Sequence, residues 1–113
     1  PEPDVMVFGR PLGDRRPVIE DAVVLFEVLS EGNTRQDQAW RRRVYASVPE
    51  CRHYVTVGSR NVSVVRYDAE GNWADAPALT CLDDALRLPA LGIAFALADI
   101  YRWTPLGQSA QGE

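Results

Sequence analysis

Lysine is missing from all 113 residues, so the 12 basic side chains are all arginines. This bias reads as the codon usage of a GC-rich genome rather than a surface built for a polyanion, because 16 acidic residues bring the net charge to −4. That balance excludes nucleic-acid binding by the surface as a whole but not by a local basic patch. Cysteine is scarce as well. Cys51 and Cys81 stand far apart with neither a CxxC pair nor a histidine spacing around them. That argues against a thiolate metal site and leaves two reduced thiols in a cytoplasmic protein. No apolar run approaches the roughly 20 residues of a membrane span, no signal peptide is recognisable, and no repeat or low-complexity tract occurs. The initiator methionine is missing too, since the chain opens on Pro1-Glu2-Pro3-Asp4, and we read it as a fragment or processed product that starts upstream.

What is present is an ordinary globular composition, 46% apolar and 25% charged, enough for one domain that buries about two thirds of its unfolded surface. The run Ala22-Val-Val-Leu-Phe-Glu-Val-Leu-Ser30 is apolar at both parities apart from Glu27, the pattern of a central strand covered on both faces. A carboxylate there must be neutralised, hydrogen-bonded or placed on a cation, because a bare charge in a dry interior costs several kcal/mol.

The elements around it follow from turn and periodicity signals. Val5–Phe8 is a short strand entered through Asp4, and residues 9 to 18 form a loop. Residues 31–34 carry turn chemistry. Asn33 or Thr34 then caps a helix that runs to about Val48 before Pro49, with Asp37 in the capping-box position. Asp37, Arg41, Val44, Tyr45 and Val48 share one stripe, which aims Arg41 at the sheet. His53–Val57 reads as a strand, residues 61–73 as a hairpin, residues 82–93 as a closing strand pair, and residues 97–101 as a terminal helical turn. The domain spans residues 1–106, and residues 107–113 form a disordered tail.

Two buried strands that each bring a carboxylate, followed by a helix that presents a cation inward, match the needs of metal-assisted phosphodiester cleavage. Hard oxygen ligands hold the ion, and a nearby positive charge stabilises the developing phosphorane. A structural ion pair between Glu27 and Arg41 explains the same residues and, from residue types alone, is the favoured reading. Arg35, Arg41, Arg42 and Arg43, interleaved by Trp40 and Tyr45, form a basic band that reads either as a phosphate-tracking surface or as a solvated helix face with Trp40 in the core. We take the second reading for Arg42 and Arg43. His53 has no partner motif and reads as a surface or cap residue, and Asp83-Asp84 as a structural turn.

The ordered set Pro3-Asp4-Val5, Glu27-Val-Leu-Ser30, Thr34, Asp37, Tyr45, Pro49, Tyr54-Val55, Leu82-Asp-Asp84, Leu88-Pro-Ala-Leu-Gly92 and Ile100-Tyr101 resembles the Uma-type restriction endonuclease family. This is a branch of the PD-(D/E)xK nuclease superfamily. The resemblance implies an α/β, restriction-endonuclease-like mixed sheet with one main helix. It also implies Asp4 and Glu27 as ligands of Mg²⁺ or Mn²⁺ and DNA as substrate. The family lysine, moved onto the helix, falls on Arg41, with Asp37 and Tyr45 in support and Arg35 and Arg42 as nucleic-acid contacts. Arginine carries the charge but never sheds a proton, so the implied activity is that of an impaired endonuclease. The alternative is a non-catalytic interaction or oligomerisation domain on the same fold. The family's N-terminal helix and strand pair have no counterpart ahead of Pro3. The expectation is therefore a homodimer, or association with the missing half, that covers the sheet face away from the helix.

Overall fold

Apolar alternation on successive segments builds the sheet that positions everything else. In the computed structural model, which describes residues 3–30 and 33–107, the sheet has four strands: β1 (Val5–Phe8), β2 (Ala22–Leu29), β3 (His53–Gly58) and β4 (Val64–Asp68), in that spatial order. β1 runs antiparallel to β2, β2 parallel to β3, and β3 antiparallel to β4. The sheet is therefore mixed. The parallel pair requires a crossover, and α1 (Arg35–Ala46) supplies it.

The helix begins where its cap predicts. Thr34 Oγ1 accepts the Asp37 backbone N–H at 3.0 Å, which satisfies one orphan donor of the first turn. The Asp37 carboxylate, however, accepts from the Asn33 side-chain amide at 2.7 Å, a variation on the expected capping box. Residues 31 and 32 of the expected turn lie outside the described residues.

β2 is central, yet only its first part is sealed on both faces. Ala22, Val24, Leu25 and Glu27 are buried, whereas Val28 is half exposed. The segment read as a hairpin over 61–73 pairs differently. β4 takes the preceding strand β3 as its partner, and residues 69–73 form a turn in which Asn72 and Trp73 both adopt positive φ. The reason is coverage, because β3 needs a neighbour on its free side and β4 is the next strand in the chain.

A second, two-stranded antiparallel sheet, β5 (Ala85–Leu88) and β6 (Ile93–Ala96), is joined by a 3-10 turn over Pro89–Leu91. That turn closes on Gly92 at φ 66°, a left-handed conformation that glycine adopts without a side-chain clash. With the short helix α2 (Leu97–Ile100), this unit packs its Leu86, Leu88 and Leu97 against Val24, Val55, Val57 and Val64. The face away from α1, expected to lack cover, is thus largely covered from within. Tyr101 fastens the unit to the β3–β4 turn: its hydroxyl donates to the Gly58 carbonyl at 2.7 Å and accepts the Ser63 N–H at 3.1 Å. Gly107, read as the start of the tail, is buried, and residues 108–113 lie outside the described ones. No helix among the described residues is long and apolar enough to cross a membrane.

Two further residues differ from expectation. Trp40 is 46% exposed, because it lies off the stripe that carries Tyr45 and Val48 inward. His53 is buried, with Nδ1 2.7 Å from Asp68 Oδ1 and Nε2 accepting the Ala90 N–H at 3.2 Å. Its partners come from β4 and the β5–β6 connection, which no local motif announces. Asp84 accepts the Cys81 N–H at 3.3 Å, as a structural turn requires, and both cysteines are free thiols.

Candidate functional site

The chemistry collects under α1, on the face of the sheet that carries Leu25, Glu27, Tyr54 and Thr56. Register explains the grouping, because Glu27 stands beside Thr56 and Leu25 beside Tyr54 in the parallel pair, and neighbours in register share a face. Glu27 is 3% exposed. Its Oε1 lies 2.8 Å from Arg41 Nη1, and its Oε2 accepts the Tyr45 hydroxyl proton at 3.0 Å. One helix face delivers both partners, since Arg41 and Tyr45 are four residues apart on α1. Arg41 reaches back along the helix as well, placing Nε 3.2 Å from Asp37 Oδ2, although this Nε is buried and makes no aligned hydrogen bond.

The titration behaviour follows from these contacts. Burial works against the charged guanidinium of Arg41, but the hydrogen bond and charge of Glu27, then those of Asp37, outweigh it and leave the pKa raised. The side-chain hydrogen bond from Asn33 lowers the Asp37 pKa; partial burial opposes this, and Arg41 adds to it. Burial, followed by the hydrogen bond to Glu27, holds the Tyr45 phenol well above its ordinary range. Tyr54 is raised in the same direction by burial and then by the charge of Glu27.

Asp4 meets β2 through the main chain on either side of Glu27. It is exposed and precedes β1, and its Oδ2 accepts the Val28 backbone N–H at 2.6 Å, while its own N–H donates to the Phe26 carbonyl at 3.0 Å. The structure therefore brings Glu27, Asp37, Arg41 and Tyr45 together and engages Asp4 with the main chain of β2. Arg42 leaves the solvated face expected of it. It pairs with Asp75 at 2.9 Å and lies over the Tyr67 ring at 4.5 Å. Arg35 is exposed and lines the same cavity as Arg42.

In this arrangement a divalent cation would have to displace Arg41 from Glu27. Both Glu27 oxygens are occupied, Arg41 already neutralises the charge, and Asp4 holds an amide. Among the described residues no group of three or more His, Cys, Asp or Glu side chains could hold a metal.

Sequence reasoning missed Tyr54, Thr56 and Tyr67. The signal lay in β3, where Tyr54 and Thr56 occupy one parity and Val55 and Val57 the other, so the polar parity had to face the same side as Glu27. No curated protein and no solved structure matches the chain. A family model described as "Putative restriction endonuclease" matches residues 1–98, and the chain belongs to that family, Uma2.

Proposed function

We propose that this chain is a cytoplasmic, DNA-engaging nuclease-fold domain in which Arg41 holds back Mg²⁺-dependent hydrolysis of the phosphodiester. Membership of a restriction endonuclease family supports the nuclease part. The observation that carries the restraint is the Glu27–Arg41 contact of 2.8 Å in a nearly closed environment. In the resemblance, Asp4 and Glu27 are the carboxylates for Mg²⁺ or Mn²⁺. In this chain a cation has to compete with a guanidinium that is already in place and cannot deprotonate. Arg41 keeps the positive charge that would stabilise a phosphorane but cannot accept a proton from water. Asp37 and Tyr45 hold Arg41 and Glu27 in register, and Arg35 and Arg42 lie where a strand's phosphates would pass.

The test is cleavage of plasmid and linear DNA with Mg²⁺ or Mn²⁺. The unmodified chain is expected to cleave weakly or not at all. Arg41→Lys, which replaces a planar fork with a single ammonium, is expected to raise the rate. Strong metal-dependent cleavage by the unmodified chain that survives Glu27→Ala would overturn the proposal. The closed ion pair also favours a second reading, a non-catalytic domain that uses the fold for association. Cleavage absent from Arg41→Lys, together with a dimer in sedimentation, would select it.

A further inference from the structure

Ala90 lies in the 3-10 turn between β5 and β6, after a proline that has no N–H and a flanking Leu88 that supplies no side-chain cap. Its own N–H is therefore an orphan donor of the first turn, and the partner comes from across the fold. His53, the first residue of β3, accepts it on Nε2 at 3.2 Å. The other ring nitrogen fixes which form of the imidazole does this. His53 Nδ1 lies 2.7 Å from Asp68 Oδ1, and Arg66 holds the same carboxylate through Nε at 2.8 Å and Nη2 at 3.0 Å. A carboxylate only accepts, so Nδ1 carries the proton and Nε2 offers its lone pair. The ring is neutral in this arrangement.

Only the neutral ring can make the bond to Ala90. Protonation puts a hydrogen on Nε2, which then meets the Ala90 N–H donor to donor. Whether a proton favours release depends on what else the ring faces. Arg52 precedes it, Arg66 and Asp68 stand on β4, and Glu70, 3.4 Å from Arg52, follows β4. On β2 its neighbour in register is the apolar Val24. All of these stay with the sheet when the turn lifts, so they act on the proton alike in both positions of the turn. The turn itself consists of Pro89, Ala90 and Leu91, none of them ionisable. What distinguishes the two positions is the Ala90 N–H, and it opposes the proton. A cavity of about 180 Å³ lined by His53, Glu70 and Ala90 adjoins the contact and gives a proton a route to a ring that is otherwise 6% exposed.

We propose that His53 is a proton-operated latch: neutral, it holds the Pro89–Leu91 turn against the sheet, and protonated, it releases the turn. Histidine is the side chain whose ordinary titration falls between about pH 5 and 8, and a proton that binds the released form better than the closed one shifts the balance toward release. The movement is local. Arg66 still donates to the Arg87 carbonyl, and the Tyr101 hydroxyl still ties the unit to Gly58, contacts that do not involve the imidazole. Leu88 is buried beside the turn and Leu91 within it packs on the same aliphatic core, so acid loosens the edge of that core while the Glu27 cluster, on the opposite face, is left in place. The latch is independent of the nuclease reading.

Amide hydrogen exchange read by NMR in steps from about pH 8 to about pH 5 tests this, with each rate divided by that of the unstructured chain at the same pH. His53 is the sole histidine of the chain, so the imidazole signals in the same samples report its protonation without ambiguity. Protection of the Ala90 amide is expected to fall about tenfold as the ring protonates, the loss of one hydrogen bond, while amides of β2 and β3 keep theirs. His53→Gln, whose amide oxygen can accept the Ala90 N–H at any pH, is expected to retain the protection and to abolish its decline in acid. A ring that stays neutral down to about pH 5 overturns the proposal, as does a ring that protonates with no change at Ala90, or a decline that persists in folded His53→Gln. If that variant does not fold, the ring titration and the Ala90 exchange of the unmodified chain decide the matter.

Discussion

On the side of the sheet away from α1, Val24, Val55, Val57 and Val64 meet Leu86, Leu88 and Leu97 with no charge among them. On the side under α1, the same strands present Glu27, Tyr54 and Thr56 to Arg41 and Tyr45. Both sides are buried, but they are stabilised differently. Aliphatic burial is nearly independent of direction and yields roughly 25 cal/mol per Å². A buried ion pair returns little or nothing net against its desolvation cost, yet losing one partner is severe. The comparison teaches that stability is concentrated on one face, while the other tolerates a costly arrangement that an inert core would not need.

The sharpest way to break this comparison is to damage the aliphatic face. Leu86→Ala, at a residue 1% exposed, is expected to cost about 2–5 kcal/mol in denaturant unfolding while leaving DNA binding per folded molecule unchanged. A parallel loss of binding would mean that the two faces are not separable.

The next largest effect separates pairing from packing under α1. Arg41→Ala strands the buried Glu27 carboxylate and is expected to cost about 3 kcal/mol. The double variant Glu27→Leu with Arg41→Met is expected to be as stable as the unmodified chain or more so, but inactive toward DNA. A double variant as unstable as the single one would make the cluster a structural device and erase the contrast.

Alkaline pH should strike the α1 side selectively. Burial raises the Cys51 thiol to about 11 and also raises the Tyr45 and Tyr54 phenols. Groups whose folded pKa lies above the unfolded value keep protons that the unfolded chain releases, so their contribution is complete below the unfolded pKa and is lost as pH rises through the folded one. For Cys51, stability is expected to fall between about pH 9 and 11, and Cys51→Ala should remove that part of the slope in melts at stepped pH. In the native protein at pH 8, a thiol reagent should label the exposed Cys81 and spare Cys51.

Asp4 should give the smallest effect. Its carboxylate accepts a single exposed main-chain N–H, so Asp4→Ala is expected to cost about 1 kcal/mol in unfolding. A change in the affinity for Mn²⁺ by calorimetry on the same variant would instead give Asp4 a metal-binding role.

Much of this fold could be read from one sequence, because its signals are local. The bounds of β1, the cap at Thr34, the burial of Tyr45 and Val48 and the existence of β5, β6 and α2 each follow from periodicity or turn residues within a few positions. The Glu27–Arg41 pairing was legible as well, since a carboxylate in an apolar run demands a partner and one stripe of α1 offered a cation. What escaped depends on residues distant in sequence. The burial of His53 depends on Asp68 and Ala90, the exchange of hairpin partners on a free edge of β3, and the cover of the far face on Leu86 to Leu97 folding back. The exposure of Trp40 was missed because aromatic character was weighed above its position on the helix.

The crossover from β2 through α1 to β3 has a consequence for the order of events in folding. Glu27, Asp37, Arg41, Tyr45, Tyr54 and Thr56 all belong to this one stretch of chain, so their meeting requires closure of a single short loop. Contacts so close in sequence form early relative to long-range pairings. Candidate site and sheet are therefore laid down by the same event, and no later docking step is needed to bring the charged groups together.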